Sequence, residues 1–341
     1  MTPTIKQIPF GKTIVVAPLN WGLGHASRCI PLINQALSQN NKVIIASDGI
    51  ALTLLQKEFP KLKCYELPSY DIKYPFSSIL FNLIWQSPKI WIAIQAEKKT
   101  ISKIIEGEKA DLLISDNRYG CLTKKCESVF ITHQLFIQTN NVFTSRIANL
   151  INDFLLRNHS AIWVPDFEGD GNLAGIISQL KPKNYTGIIR YIGPLSRISK
   201  CEVNQNPIYD VICLLSGPEP QRTKFEQTLV EILKKKRLKV KLIRGTNLPY
   251  DREAHEHIQV IDIATTAEIQ EDICQSKWVI ARSGYSTVMD LYNAGKPGIL
   301  VPTPGQIEQE HLAKHLSQHS QFKFIQQNEL NEETLTNLLK D

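Results

Sequence analysis

The chain has 341 residues, 43% hydrophobic and 21% charged, without a low-complexity tract; this length suits two domains of roughly 150 residues each and the composition excludes long disorder. A formal charge of +6 is mildly basic, and its densest run, Lys234-Lys235-Lys236-Arg237, falls where a helix should end, so the helix dipole accounts for it and no nucleic-acid partner is expected. The seven cysteines are odd in number, scattered and without a CxxC pair, the pattern of a reducing compartment, so a cytoplasmic chain without structural zinc is expected.

The opening MTPTIKQIPFGK has no apolar stretch before a small-residue cleavage site, which argues against secretion. Apolar, β-branched runs then recur at 13–19, 42–47, 63–68, 110–115, 128–133 and 161–165. Separated by helix-length segments, they predict a parallel sheet covered on both faces. Among them lies YPFSSILFNLIWQSP, residues 74–88, apolar, aromatic and uncharged between Lys73 and Lys89. It is shorter than the roughly 20 residues of a membrane span, and it reads as a buried helix, as one wall of an apolar pocket, or as a contact with a membrane surface.

A polar, proline-marked stretch at 194–207 reads as a linker. The pattern restarts at 209–216, 238–245, 257–262, 277–284, 297–302 and 322–325, and 328–340 reads as a helix of its own. The expected architecture is α/β: two tandem Rossmann-like, doubly wound domains, 1–195 and 207–325, facing a cleft at the carboxyl ends of their strands, followed by a C-terminal helix in 326–341.

The turn after the first strand, Gly22-Leu23-Gly24-His25, is the first candidate site. A dinucleotide fingerprint needs a third glycine where Ser27 stands, and a nucleophile elbow needs a central serine. What remains is a strand–loop–helix corner whose glycines let the backbone approach a ligand and whose helix start offers free N–H groups. His25 is there either a proton acceptor at the cleft mouth or a capping residue. Asp116, ending the run at 110–115, would reach His25 if the two strands are neighbours, fixing its tautomer and raising its basicity; its plainer role is the N-cap of a helix beginning near Arg118.

The segment 277–315, KWVIARSGYSTVMDLYNAGKPGILVPTPGQIEQEHLAKH, resembles the donor half of GT-B glycosyltransferases, and most closely the MurG-like transferases that move a sugar from UDP-N-acetylglucosamine to a lipid-linked acceptor. The resemblance extends over nearly the whole chain, through NWGLGH at 20–25, KADLLISDNRYG at 109–120, VFITHQ at 129–134 and YIGP at 191–194. It implies that Ser283 and Gly284 hold the donor diphosphate with Arg282 nearby as a cation, that Asp290 meets the uridine ribose, and that Gln309 and Glu310 face the donor sugar. The loop after the first strand of the second domain keeps Ser216 and Gly217 of the expected glycine-rich turn, and the uracil is expected near 261–263. His25 and Asp116 together are similar to the catalytic pair of plant UDP-sugar transferases.

His311, His315 and His319 share a helix face, but three ligands on one straight helix splay too widely for a tetrahedral ion, and no metal site or cofactor is expected. The implied activity is an inverting, metal-independent transfer of a hexose or N-acetylhexosamine from a UDP-sugar to a glycan or lipid-linked hydroxyl by a cytoplasmic protein, with residues 74–88 as the candidate contact with the inner membrane face. Two alternatives share these residues. One is a UDP-sugar hydrolase of the pseudaminic acid type, whose GxGHxxR turn is matched by Gly22 to Arg28. The other is a non-catalytic nucleotide-sugar-binding protein.

Overall fold

The computed structural model describes residues 5–70, 85–139, 141–202, 206–217, 219–246, 248–249 and 256–340. The 74–88 segment therefore lies outside the described residues as far as position 84.

The first domain runs β1 (Thr13–Pro18), α1 (Leu23–Ser38), β2 (Lys42–Ser47), α2 (Gly49–Glu58), β3 (Lys63–Glu66), α3 (Ser87–Glu108), β4 (Leu112–Asp116), β5 (Glu127–Ile131), α4 (Val142–Leu156), β6 (Ala161–Val164), α5 (Ile176–Gln179) and β7 (Ile188–Tyr191). The second runs β8 (Tyr209–Leu214), α6 (Gln221–Leu233), β9 (Val240–Ile243), β10 (Ile258–Ile261), α7 (Thr266–Cys274), β11 (Ser276–Ala281), α8 (Tyr285–Ala294), β12 (Gly298–Leu300), α9 (Ile307–Leu316), β13 (Phe322–Phe324) and α10 (Glu332–Leu338).

All recorded strand pairs are parallel, as their continuous apolar runs require. The first sheet has the order β3-β2-β1-β4-β5-β6-β7 and the second β10-β9-β8-β11-β12-β13. Each reverses its winding beside its first strand, between β1 and β4 and between β8 and β11. In such sheets the crevice beyond the carboxyl ends at the reversal is where ligands bind.

A buried apolar cluster joins the domains by packing Ala26, Cys29 and Ile30 of α1 with Tyr285, Val288 and Met289 of α8. The first turns of these two helices thus meet across the interface, and a close approach there needs a small residue. An added Cβ on Gly24 would lie 2.9 Å from Ser286 Oγ.

Two expectations change. No helix begins near Arg118; the segment after β4 is a loop, and Arg118, fully buried, ties it to Glu97 of α3, to Asp48 at the end of β2 and to the Pro68 carbonyl. The expected C-terminal helix is present as α10, and its Leu335 is fully buried in the apolar cluster of β8, α6 and β9. Cys201 of the linker and Cys274 of α7 are bonded, with Cα atoms 5.2 Å apart, so two of the seven cysteines are paired where the sequence pattern pointed to reduced thiols. The basic run at 234–237 does follow the end of α6, with Lys234 as its C-cap.

Candidate active site

Gly22 is the N-cap of α1 with φ at 77°, a left-handed conformation that suits glycine. It turns the chain so that α1 starts at the carboxyl edge of the sheet and carries His25 and Arg28 over it. β1 and β4 are neighbours and their register sets Pro18 opposite Asp116, so the fully buried Asp116 carboxylate lies directly beneath that first turn.

His25 Nδ1 donates to Asp116 Oδ1 at 2.8 Å. The assignment of the proton follows from the partner, since an ionised carboxylate only accepts. Among the described residues His25 Nε2 has no hydrogen-bond partner, and the side chain keeps 15% of its surface open. Arg28, 2% exposed, donates from Nε and Nη2 to the two oxygens of the same carboxylate, a bidentate pair of the strong, charge-assisted kind.

Burial pushes Asp116 upward, but Arg28 and then His25 outweigh it and hold the carboxyl well below the usual carboxylate range. His25 itself is lowered from 6.5, first by burial and next by the Arg28 guanidinium 3.0 Å from Nδ1, with Asp116 opposing both. The outcome is a neutral imidazole at neutral pH, its tautomer fixed by Asp116 and its free nitrogen able to take a proton.

The same guanidinium leads across the domain interface. Arg28 Nη1 lies 3.4 Å from His133 Nδ1, and His133 Nε2 is 2.7 Å from Glu308 Oε1 in the first turn of α9. Gln134 donates to the other Glu308 oxygen. The His133 ring stacks on Tyr285 at 4.1 Å between centroids, and Tyr285 donates its hydroxyl to the Pro165 carbonyl at 2.9 Å. Burial pushes Glu308 up, yet His133, His25 and Arg28 together bring it below its ordinary value. Sequence reasoning gave Arg28 only as part of a pattern and did not single out Glu308 or Tyr285. The signal for Arg28 was its spacing from His25, one helical turn on the same face.

On the other side of the cleft, three loops leave the carboxyl ends of adjacent strands β8, β11 and β12. Ser216 and Gly217 are exposed on the first, with Gly217 at φ 108°. Gly284 is the N-cap of α8, and a Cβ there would meet nothing within 4 Å, so its face is open. Thr303, which the sequence did not single out, carries a buried Oγ1 without a hydrogen-bond partner among the described residues, 3.9 Å from where a Cβ on Gly217 would stand. An open helix start, a left-handed glycine and an unpaired buried hydroxyl side by side form a cradle for an anionic group.

The remaining expected donor residues make the following contacts within the protein. Arg282 is 1% exposed; it donates to the carbonyls of Val301, Pro302 and Gln221 and to Gln327 Oε1, and stacks on Phe225 at 4.0 Å. Burial pushes its guanidinium down to about 10. It braces the loops around the cradle from behind. Ser283 Oγ donates to the Gln309 carbonyl, the Gln309 amide binds Thr303 N and Gln306, and Glu310 accepts from Gly305 N. Asp290 is 6% exposed and accepts from Ser196 Oγ, Arg197 N and Arg197 Nε, so its carboxylate ties the interdomain segment to α8. His315 Nε2 lies 2.9 Å from the Asn172 carbonyl, an interdomain contact, and no group of three or more His, Cys, Asp or Glu residues is placed for a metal among the described residues.

Parts of the chain, and its fold, are similar to known proteins. Residues 219–341 match the Glycosyltransferase family 28 C-terminal domain. A Methanosarcina mazei protein named as an uncharacterized glycosyltransferase is 24% identical over 318 residues, covering 86% of this chain and 80% of that protein. A shorter stretch of 46 residues, 14% of this chain and 13% of its relative, is 41% identical to a UDP-N-acetylglucosamine–N-acetylmuramyl-(pentapeptide) pyrophosphoryl-undecaprenol N-acetylglucosamine transferase of Rhodopseudomonas palustris. The crystal structure of Acinetobacter baumannii MurG superposes with a TM-score of 0.57 over 96% of this chain and 89% of that one, at 15% identity. The chain has the GT-B fold and is similar to MurG-like glycosyltransferases. No helix among its described residues is long and apolar enough to cross a membrane.

Proposed function

We propose that this glycosyltransferase moves a hexose or N-acetylhexosamine from a UDP-sugar to an acceptor hydroxyl, with inversion and without a metal ion. The observation that carries the reading is the 2.8 Å bond from His25 Nδ1 to Asp116. It leaves Nε2 as the basic atom, and burial together with Arg28 keeps the ring neutral. His25 takes the acceptor proton as the hydroxyl attacks the anomeric carbon from the side opposite the departing diphosphate. The diphosphate sits against the main chain of Gly217 and Gly284 and the Thr303 hydroxyl, where a helix start offsets its charge in the role a metal plays elsewhere. A UDP donor is supported by the donor in the name of the Rhodopseudomonas relative. The apolar 74–88 segment motivates a lipid-linked or membrane-proximal acceptor.

A thermal-shift screen of nucleotide sugars tests the donor first, since a ligand at a hundred times its Kd adds about 2.7 kcal/mol of stability. Product analysis then separates transfer from hydrolysis. Acceptor-dependent formation of a glycoside is expected; release of free sugar at one rate with and without acceptor would replace the transferase reading by the hydrolase one.

A further inference from the structure

A cavity of about 370 Å³ lies in the first domain, between the segment that precedes β1 and the sheet face that α1 covers. Its floor follows from strand register. Leu112 of β4 stands opposite Glu127 of β5, Ile131 of β5 opposite Trp163 of β6, and Trp163 opposite Arg190 of β7, so these side chains share one face of the sheet. Its roof is Gln7 and Pro9. Ile5 and Ile8 are each 3% exposed, Gln35 exchanges two 2.8 Å bonds with the Ile5 main chain, and Asn41 donates to the Pro9 carbonyl at 2.7 Å. The roof is therefore anchored, and the space beneath it is preformed and within the size range of ligand pockets.

The lining leaves polar groups unanswered. Trp163 is 1% exposed, and its Nε1 is buried without a hydrogen-bond partner among the described residues, where an indole N–H ordinarily finds an acceptor. Arg190 and Glu127, both exposed, have no ion-pair partner among the described residues. They do not reach each other either. Val129 stands level with Ala161, and Ala161 with Ile188, so Arg190 lies two strands across from Glu127 and four residues farther along, roughly 16 Å between Cα atoms by strand spacing and rise. Lys12 and Asp111 pair with one another at 3.4 Å.

These groups select a ligand by its chemistry. Two cations and two carboxylates leave the walls without net charge, so neither an anion nor a cation is favoured by all of them. Indole and guanidinium groups only donate and a carboxylate only accepts, whereas a hydroxyl group answers both. A molecule that reaches from Glu127 to Arg190 must be long. Phe10, next in the chain to Pro9 and 74% exposed, offers a ring to an apolar face of such a molecule.

We propose that this cavity is a second carbohydrate site, which holds a short, uncharged oligosaccharide against Trp163, Arg190 and Glu127. It shares no residue with the interdomain cleft, and it does not depend on the donor or the acceptor of the transfer reaction.

Five tryptophans give five indole N–H signals in a nitrogen-labelled full chain. Trp163→Phe assigns the one that reports this cavity and Trp21→Phe the one beside the Gly22 corner, with a thermal melt to confirm that the variants stay folded. Titration with maltotriose and with triacetylchitotriose should move the Trp163 signal saturably and leave Trp21 in place. Arg190→Ala and Glu127→Gln, both at exposed positions, should each raise the Kd by about tenfold or more, whereas His25→Ala should not change it. A Trp163 signal that neither saccharide moves would overturn the proposal. So would binding that both cavity variants leave unaltered, or a shift of Trp21 alone, which would place the saccharide in the cleft. Movement of the Trp163 signal by inorganic phosphate but by neither saccharide would give the cavity to an anion instead.

Discussion

Ser286 Oγ donates to the Gly24 carbonyl at 2.9 Å, joining the first turn of α8 to the first turn of α1 across the domain interface. The acceptor-side corner and the donor-side helix are therefore held in one register by two small residues. A methyl group on Gly24 would contact the same oxygen at 2.9 Å. Gly24→Ala should cost about 1–3 kcal/mol as an overpacked contact and should lower turnover further by moving α1, with His25, relative to α8. Adding Ser286→Ala should recover part of the stability. A double-mutant cycle read by urea unfolding measures the coupling, and strictly additive effects would show that the two residues do not share this contact.

His25→Ala should lower kcat by about 10²- to 10⁴-fold with a smaller change in donor KM, as loss of a general base does. Since His25 is lowered from 6.5, its basic form persists to more acidic pH than an ordinary histidine. The acidic limb of the kcat/KM profile should accordingly lie below 6.5 and disappear in the variant. Asp116→Asn is a different experiment, because it leaves the Arg28 guanidinium buried without its counter-ion. About 3–5 kcal/mol of stability should go with it, visible in urea midpoints before any assay. A variant as stable as the parent would refute the structural half of Asp116's role.

Most of the fold was legible because parallel strands buried on both faces advertise themselves as continuous apolar runs, and twelve of these runs became β1–β6 and β8–β13. β7 was not, since Ile188–Tyr191 is an edge strand whose residues are half-buried or exposed and it carries no such run. The His25–Asp116 contact followed from the two strands being neighbours, a matter of topology that the turn chemistry made readable. The donor side was harder. Motif position put Arg282, Asp290, Gln309 and Glu310 near the ligand, but a motif does not say which way a side chain turns, and these four turn toward carbonyls, the linker and their own loop. Thr303 shows the reverse: nothing in a strand-end threonine distinguishes it until its hydroxyl is found buried and unpaired beside Gly217.

Arg282 illustrates what that difference means in an experiment. Were it a phosphate ligand, Arg282→Met would raise donor KM and leave folding intact. In the structure its guanidinium satisfies three carbonyls and Gln327, and removing it leaves buried acceptors unpaired at about 1–3 kcal/mol each. The variant should therefore unfold at markedly lower urea, with activity lost in proportion to the folded fraction. Unchanged stability with a raised KM would restore the ligand role.

His159 gives the chain a pH-dependent stability separate from catalysis. It is 3% exposed, its ring packs on Phe130 at 4.8 Å, and Nδ1 donates to the Leu156 carbonyl at 3.2 Å. Burial pushes it from 6.5 down to about 4, against the opposing pull of the Leu156 and Cys121 backbone. Between these two values the unfolded chain holds the proton and the folded chain does not, so stability is full above 6.5 and is lost as pH falls toward 4. At 1.36 kcal/mol per pH unit the loss reaches about 3 kcal/mol. His159→Gln removes the titrating group while keeping a donor for Leu156. The difference in unfolding free energy between about pH 7 and about pH 4.5 should then shrink by the equivalent of one proton over that interval. Urea titrations of both proteins at the two pH values measure it, and parallel losses in parent and variant would show that another group takes up the proton.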